Sequence, residues 1–240
     1  MAAIGLLGLL GAGTAGAVGA AGADDRSDHG RAARTSGRGG PLTARETARA
    51  VRVATAAKAG PGGAATAAAP GRDVRGRPGA QVLWSERHRD LGKSGDDRRR
   101  LADVYLYDYA SDTLINRLVD LGTGRVERSS RQHGVQVPPT AAEVTRALEV
   151  VMADPRLGKG IRADYRAQTS KPLTKPSQLH AQGMAFLASR ATGVEGSGKV
   201  ARCGVHRCVQ LFVRIPRGKW VDTSRIVIDL SADRAAVIGL

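Results

Sequence analysis

The sequence predicts an α+β protein of two tandem units, each a helix packed on a three- to four-stranded antiparallel sheet. Three observations predict it. A Thr-x-x-Glu capping signature occurs twice, at Thr43–Glu46 and at Thr140–Glu143, each opening a run of helical period. Segments alternating with period two follow each run, divided by turns rich in Gly, Asp and Ser. The landmarks of the first series then return in the same order in the second.

The first unit spans 41–134. Its helix starts at Thr43 and carries Ala50, Val51, Val53 and Ala54 to about Lys58. Residues 59–80 are a low-complexity loop of Gly, Ala and Pro inside this unit. Gln81-Val82-Leu83-Trp84 is a short β-prone run. The segment Asp103–Tyr109 sets Val104, Leu106 and Asp108 against Tyr105, Tyr107 and Tyr109, the alternation of a strand. The tyrosine stripe is expected to cover the sheet; its alternative use is to stack bases or sugars. A turn at Ala110-Ser111-Asp112 leads to a strand over Thr113–Leu121. Gly122-Thr123-Gly124 is a hairpin turn supplying positive φ, and Arg125–Arg131 returns.

The second unit spans 135–240. Its helix carries Val144, Ala147, Leu148 and Val151 on one stripe and ends near Asp154-Pro155. Residues 158–177 are poorly patterned. Strands are expected over Gln178–Ser189, Val209–Val213, Trp220–Leu230 and Arg234–Ile238, with turns at Pro216-Arg217-Gly218 and Ser231-Ala232-Asp233. Thr43-Ala44-x-Glu46-x-x-Arg49-Ala50 matches Thr140-Ala141-x-Glu143-x-x-Arg146-Ala147. Val104-x-Leu106-Tyr107 matches Val209-x-Leu211-Phe212. Val119-Asp120-Leu121 matches Ile228-Asp229-Leu230, with Arg125 opposite Arg234. Asp120 and Asp229 each stand where a strand enters a turn, where a carboxylate accepts backbone N–H bonds; a structural turn role is expected of both.

Composition bounds the rest. The chain is 42% hydrophobic but 3% aromatic, so Ala, Val and Leu must build the core, and two modest cores suit that better than one large one. Net charge is +15, a field that attracts polyanions, although the basic residues are dispersed and Asp96-Asp97 offsets Arg98-Arg99-Arg100. Residues 1–23 carry no charge and end in Ala21-Gly22-Ala23, the pattern of a cleavable signal peptide, without the usual basic start. The alternative is a membrane anchor over 2–22. With cleavage, no integral span is expected. Residues 24–40 read as a disordered linker. Either way the remainder is expected outside the cytoplasm, secreted or extracytoplasmic.

Cys203 and Cys208 are the sole cysteines. In an exported chain a close pair reads as a disulfide, contributing about 2 kcal/mol on the chain-entropy model. The alternative recruits His206, making Cys203, His206 and Cys208 three metal ligands from one loop, with no fourth indicated; two free thiols are the third reading.

The run Val104–Asp108, then Val119-Asp120-Leu121-Gly122-Thr123-Gly124-Arg125-Val126, then His133-Gly134-Val135-Gln136-Val137-Pro138-Pro139, resembles the first small domain preceding the catalytic domain of copper amine oxidases. The resemblance covers about 41–157 and reaches 158–240 through the strand pattern. It implies two tandem cystatin-like or PepSY-like domains without the catalytic domain. A second resemblance, to PepSY domains that bind or restrain peptidases, rests on Val119–Val126.

The oxidases require a quinone-forming Tyr after Asn and a His-x-His copper pair. None of Tyr105, Tyr107, Tyr109 and Tyr165 follows Asn, and His29, His88, His133, His180 and His206 are isolated, so no copper or quinone residue carries over. No Gly-x-Ser-x-Gly elbow or His-Glu-x-x-His occurs. Gly92-Lys93-Ser94 matches only the end of a phosphate loop. His180 and Met184 would share a strand face too far apart to chelate copper easily. The expectation is an exported interaction module with no catalytic residues and no cofactor, meeting a protein or peptide partner at a sheet face or edge. The alternatives are a copper-associated accessory or remnant of an amine oxidase, and a polyanion-binding basic protein.

Overall fold

The computed structural model describes residues 40–56, 71–89 and 99–239. The leader 1–23, the linker up to residue 39, residues 59–70 of the low-complexity loop and Gly92-Lys93-Ser94 lie outside the described residues. Among those described, the chain is α+β, with three α-helices and two antiparallel sheets. None of these helices is long and apolar enough to cross a membrane.

Helix α1 (Ala44–Ala56) precedes a four-stranded sheet of β1 (Gln81–Arg87), β2 (Leu101–Asp108), β3 (Thr113–Asp120) and β4 (Arg125–His133), neighbours in chain order. On α1 the buried residues are Ala50 and Ala54. Side chains this small let the helix lie close on the sheet, where Ala102, Val104, Leu106, Ile115 and Val119 meet it. An Arg117 guanidinium N–H donates to the Ala54 carbonyl, satisfying an acceptor in the last turn of the helix. Gly124, at φ +68°, turns β3 into β4 in a conformation that costs glycine little.

Helix α2 (Ala141–Ala153) precedes the second sheet, in which β5 (His180–Ala185), β6 (Cys208–Arg214), β8 (Ile226–Asp229) and β9 (Arg234–Val237) lie side by side, with β7 (Trp220–Val221) on the far end of β6. Val144, Ala147, Leu148 and Val151 of α2 pack on Val209, Leu211, Val213 and Ile228. The stripe read from the sequence is thus the buried one.

Three expectations need correction. Residues 158–177 hold a helix, α3 (Leu157–Thr169), whose Ile161 and Tyr165 are buried. The strand expected over 178–189 is shorter: a 3-10 turn at Pro176–Gln178 comes before it and another at Ala188–Ala191 after it. The strand expected over 220–230 is two, β7 and β8, separated where the Ser224 amide donates to the Asp222 carboxylate.

Candidate interaction surfaces and the clamps beneath them

The ionisable residues of the two halves are held in matching arrangements. In the first, Thr43 N–H donates to Glu46 Oε2 (2.7 Å) and Glu46 N–H to Thr43 Oγ1 (3.3 Å). Arg100 grips the same carboxylate through Nε (2.8 Å) and Nη2 (2.9 Å), and donates to the Gly40 and Pro41 carbonyls. In the second, Thr140 and Glu143 exchange the same two bonds (2.7 and 3.2 Å). Arg207 grips Glu143 through Nε and Nη2 and donates to the Val137 and Pro138 carbonyls. Each arginine is the residue just before a strand, and its own carbonyl accepts from Leu121 or Leu230. A guanidinium fork thus fixes a helix N-terminus to a strand in both halves.

Burial separates the clamps. The Arg207 and Glu143 side chains are wholly excluded from solvent, whereas those of Arg100 and Glu46 keep 19% and 28% of their exposure. Hydrogen bonding from Arg100 brings the Glu46 carboxyl down to about 2. For Glu143, burial pushes the carboxyl up, but the bonds and charge of Arg207 outweigh it and the net direction is down. Tyr109 Oη donates to Glu143 (2.6 Å), and burial, then the carboxylate, push its hydroxyl upward. The Arg207 guanidinium lies over the Tyr107 ring at 5.1 Å. Of the tyrosine stripe, Tyr107 is buried, while Tyr109 and Tyr105, which stacks on Trp84 at 4.2 Å, are half-buried.

Asp120 and Asp229 occupy the last positions of β3 and β8 and face inward. Asp120 Oδ1 accepts from the Gly122 and Thr123 amides and its Oδ2 from Arg99. Asp229 Oδ1 accepts from the Ala232 amide, while its Oδ2 lies 2.8 Å from His206 Nδ1. Cys203 and Cys208 are joined, S–S 2.07 Å, across the loop that carries His206. The alternative metal set of Cys203, His206 and Cys208 is corrected by that bond: neither sulfur remains a thiolate, and the imidazole faces Asp229. His180 and Met184 lie on one face of β5, four residues or about 13 Å of strand apart.

Sequence reasoning missed Arg100 and Arg207 as partners of the capping glutamates, since nothing local marks them. It also missed a polar pair on the first sheet, where His88 Nδ1 meets Asp103 Oδ2 at 2.6 Å and Asn116 donates to the same carboxylate.

Among the described residues, two candidate surfaces stand out. On the outer face of the second sheet Phe212 is 46% exposed and Trp220 64%, and the register sets Trp220 opposite the exposed Arg214. Between α2 and β5 runs a groove of about 500 Å³, walled by Val144, Thr145 and Leu148 on the helix and Leu179, Ala181 and Gly183 on the strand side.

These features define an α+β chain whose shared charged residues join helix to sheet. No protein-family model matches it, and no curated protein sequence matches it. Among solved structures, a copper-containing benzylamine oxidase from Hansenula polymorpha is similar over 83% of this chain and 29% of its own, with a TM-score of 0.42 and 11% identity. The chain thus spans less than a third of that protein's length.

Proposed function

We propose that this chain is an exported, non-catalytic interaction module built from two tandem copies of one helix-plus-sheet unit, related to the small N-terminal domains of copper amine oxidases. The doubled clamp carries the reading. Thr43, Glu46 and Arg100 make the bonds that Thr140, Glu143 and Arg207 make, down to the two carbonyls that lie two and three residues before each threonine. Asp120 and Asp229 close the corresponding hairpins. Among the charged groups that the halves share, Glu46, Glu143, Asp120 and Asp229 cap and Arg100 and Arg207 clamp, which supports structural work for these six and not proton transfer or nucleophilic attack. Export is supported by the uncharged leader and by the Cys203–Cys208 bond, at home in an oxidising compartment.

The test is direct. Loaded with Cu(II) and given a primary amine in air, the purified chain is expected to release no more hydrogen peroxide than a protein-free control. Peroxide release in proportion to protein would overturn the non-catalytic reading. Material recovered outside expressing cells is expected to start near Asp24 with no titratable thiol; a full-length cytosolic product with two thiols would overturn export.

One observation favours a second reading, a polyanion binder: exposed Phe212 and Trp220 beside Arg214 in a chain of net charge +15. Retention on heparin that falls steeply with salt and weakens in Trp220→Ala would support it.

A further inference from the structure

The free edge of the second sheet has the properties of a template. Strand β5 pairs on one side only, with β6, and among the described residues no strand lies beyond it. Which of its backbone groups are free follows from register. Phe186 N–H donates to the Cys208 carbonyl, in step with the pairing His180↔Arg214 through Ala185↔Val209. Hydrogen-bonded positions in an antiparallel ladder recur every second residue. His180, Gln182 and Met184 therefore turn their amides and carbonyls toward β6, and Ala181, Gly183 and Ala185 turn theirs outward.

Natural edges are usually protected, and the β1, β4 and β9 edges here are. Strand β4 carries Arg125, Glu127, Arg128 and Arg131. Strand β1 carries Glu86 and Arg87 and breaks register between Val82 and Trp84. Strand β9 is four residues long and begins with Arg234. By contrast β5 reads His180-Ala181-Gln182-Gly183-Met184-Ala185, small at every second position and without a formal charge. The Ala181 methyl and the bare Cα of Gly183 line the groove beneath α2. Strand and helix come together at Gly183, where a Cβ would stand 3.0 Å from Pro139 and 3.1 Å from Val144. The groove wall carries no charged side chain. Exposed His180 and Lys175 stand at the end where β5 begins.

We propose that the β5 edge and the groove under α2 bind an extended peptide segment of a partner protein, added antiparallel to β5. Its alternate small aliphatic side chains enter the groove, and acidic residues at its C-terminal end lie beside Lys175 and His180. Backbone bonds to Ala181, Gly183 and Ala185 supply the pairing, the uncharged wall selects apolar side chains, and the basic end fixes polarity. This rests on the interaction-module reading and names its surface.

The test uses the oxidised full chain and the acetylated heptapeptide Thr-Val-Ala-Val-Ala-Val-Asp carrying a fluorophore. Saturable binding is expected, with the amides of Ala181, Gly183 and Ala185 gaining protection from hydrogen exchange while those of Gln182 and Met184 stay as they were. Ala181→Pro deletes one outward N–H and no bond to β6, so the sheet survives, and binding is expected to weaken roughly tenfold. Lys175→Glu should weaken this peptide and favour one ending in Lys. Binding unchanged in Ala181→Pro, or protection at the even-numbered amides, would overturn the proposal. Binding lost instead in Phe212→Ala would move the contact to the outer face, sparing the module reading and sinking the groove. A dimer that Ala181→Pro converts to monomer would replace the peptide with a second copy of the chain. Peroxide release from the amine assay would remove the module reading, whatever the peptide does.

Discussion

Arg207 and Glu143 lie wholly out of water, so each depends on the other for its solvation. Removing one member of such a pair leaves a buried charge and costs about 3–5 kcal/mol. Arg207→Leu is therefore expected to destabilise by that amount in urea titration, and the double change Arg207→Leu with Glu143→Leu by much less. Arg100→Leu breaks the same bonds where both side chains keep some exposure and water can partly replace them, so its loss is expected to be smaller. Equal losses from the two single changes would contradict this account. Glu46 gives a pH signature. Its folded carboxyl sits at about 2 against an ordinary 4.5, so its contribution is fully present above pH 4.5 and is lost as pH falls toward 2. Glu46→Gln should flatten the fall of the urea midpoint across that interval. At this scale the sequence was half legible. Spacing alone picks out Thr43–Glu46 and Thr140–Glu143, but Arg207 is 64 residues from Glu143 and no local pattern joins them.

At the scale of elements, helix α3 was hidden by Gly158 and Gly160 in its first turn, which mask the four-residue recurrence of Leu157, Ile161 and Tyr165. The two glycines are not equivalent. A Cβ on Gly158 would stand 2.3 Å from the Met152 carbonyl oxygen at the end of α2, whereas one on Gly160 meets nothing within 4 Å. Gly158→Ala should lower stability by about 1–3 kcal/mol, and Gly160→Ala raise it by about 0.5–1 kcal/mol. Thermal melts of the two variants check both signs. Elsewhere, strong alternation placed β2, β3 and β6 to within two residues. The internal match was displaced, however. Leu101 pairs with Asp120 and Cys208 with Asp229, so on the proposed duplication Val104 is matched to Leu211 and not to Val209. A shift of two residues keeps every side chain on its face, which is why the pattern survived it.

At the scale of the whole molecule, the capping signatures and the order of turns made the α+β class readable. Contacts between the halves were not, because they join residues with no shared periodicity. Arg75 reaches Glu149 in a fork of 2.7 and 2.9 Å, and Ser231 donates to Asp112. The Tyr109 hydroxyl, just beyond β2, donates to the carboxylate that pins α2. That carboxylate therefore draws part of its solvation from the other half of the chain. If the front half came apart first, Glu143 would lose the Tyr109 donor and the pair with Arg207 would be opened on that side. Heat should accordingly melt both halves in one calorimetric transition, with equal calorimetric and van't Hoff enthalpies, and Tyr109→Phe should broaden or split it. The Tyr109 phenolic proton is thus one of several links between the halves, beside the Arg75–Glu149 fork and the Ser231–Asp112 bond, and the one that reaches a carboxylate wholly out of water.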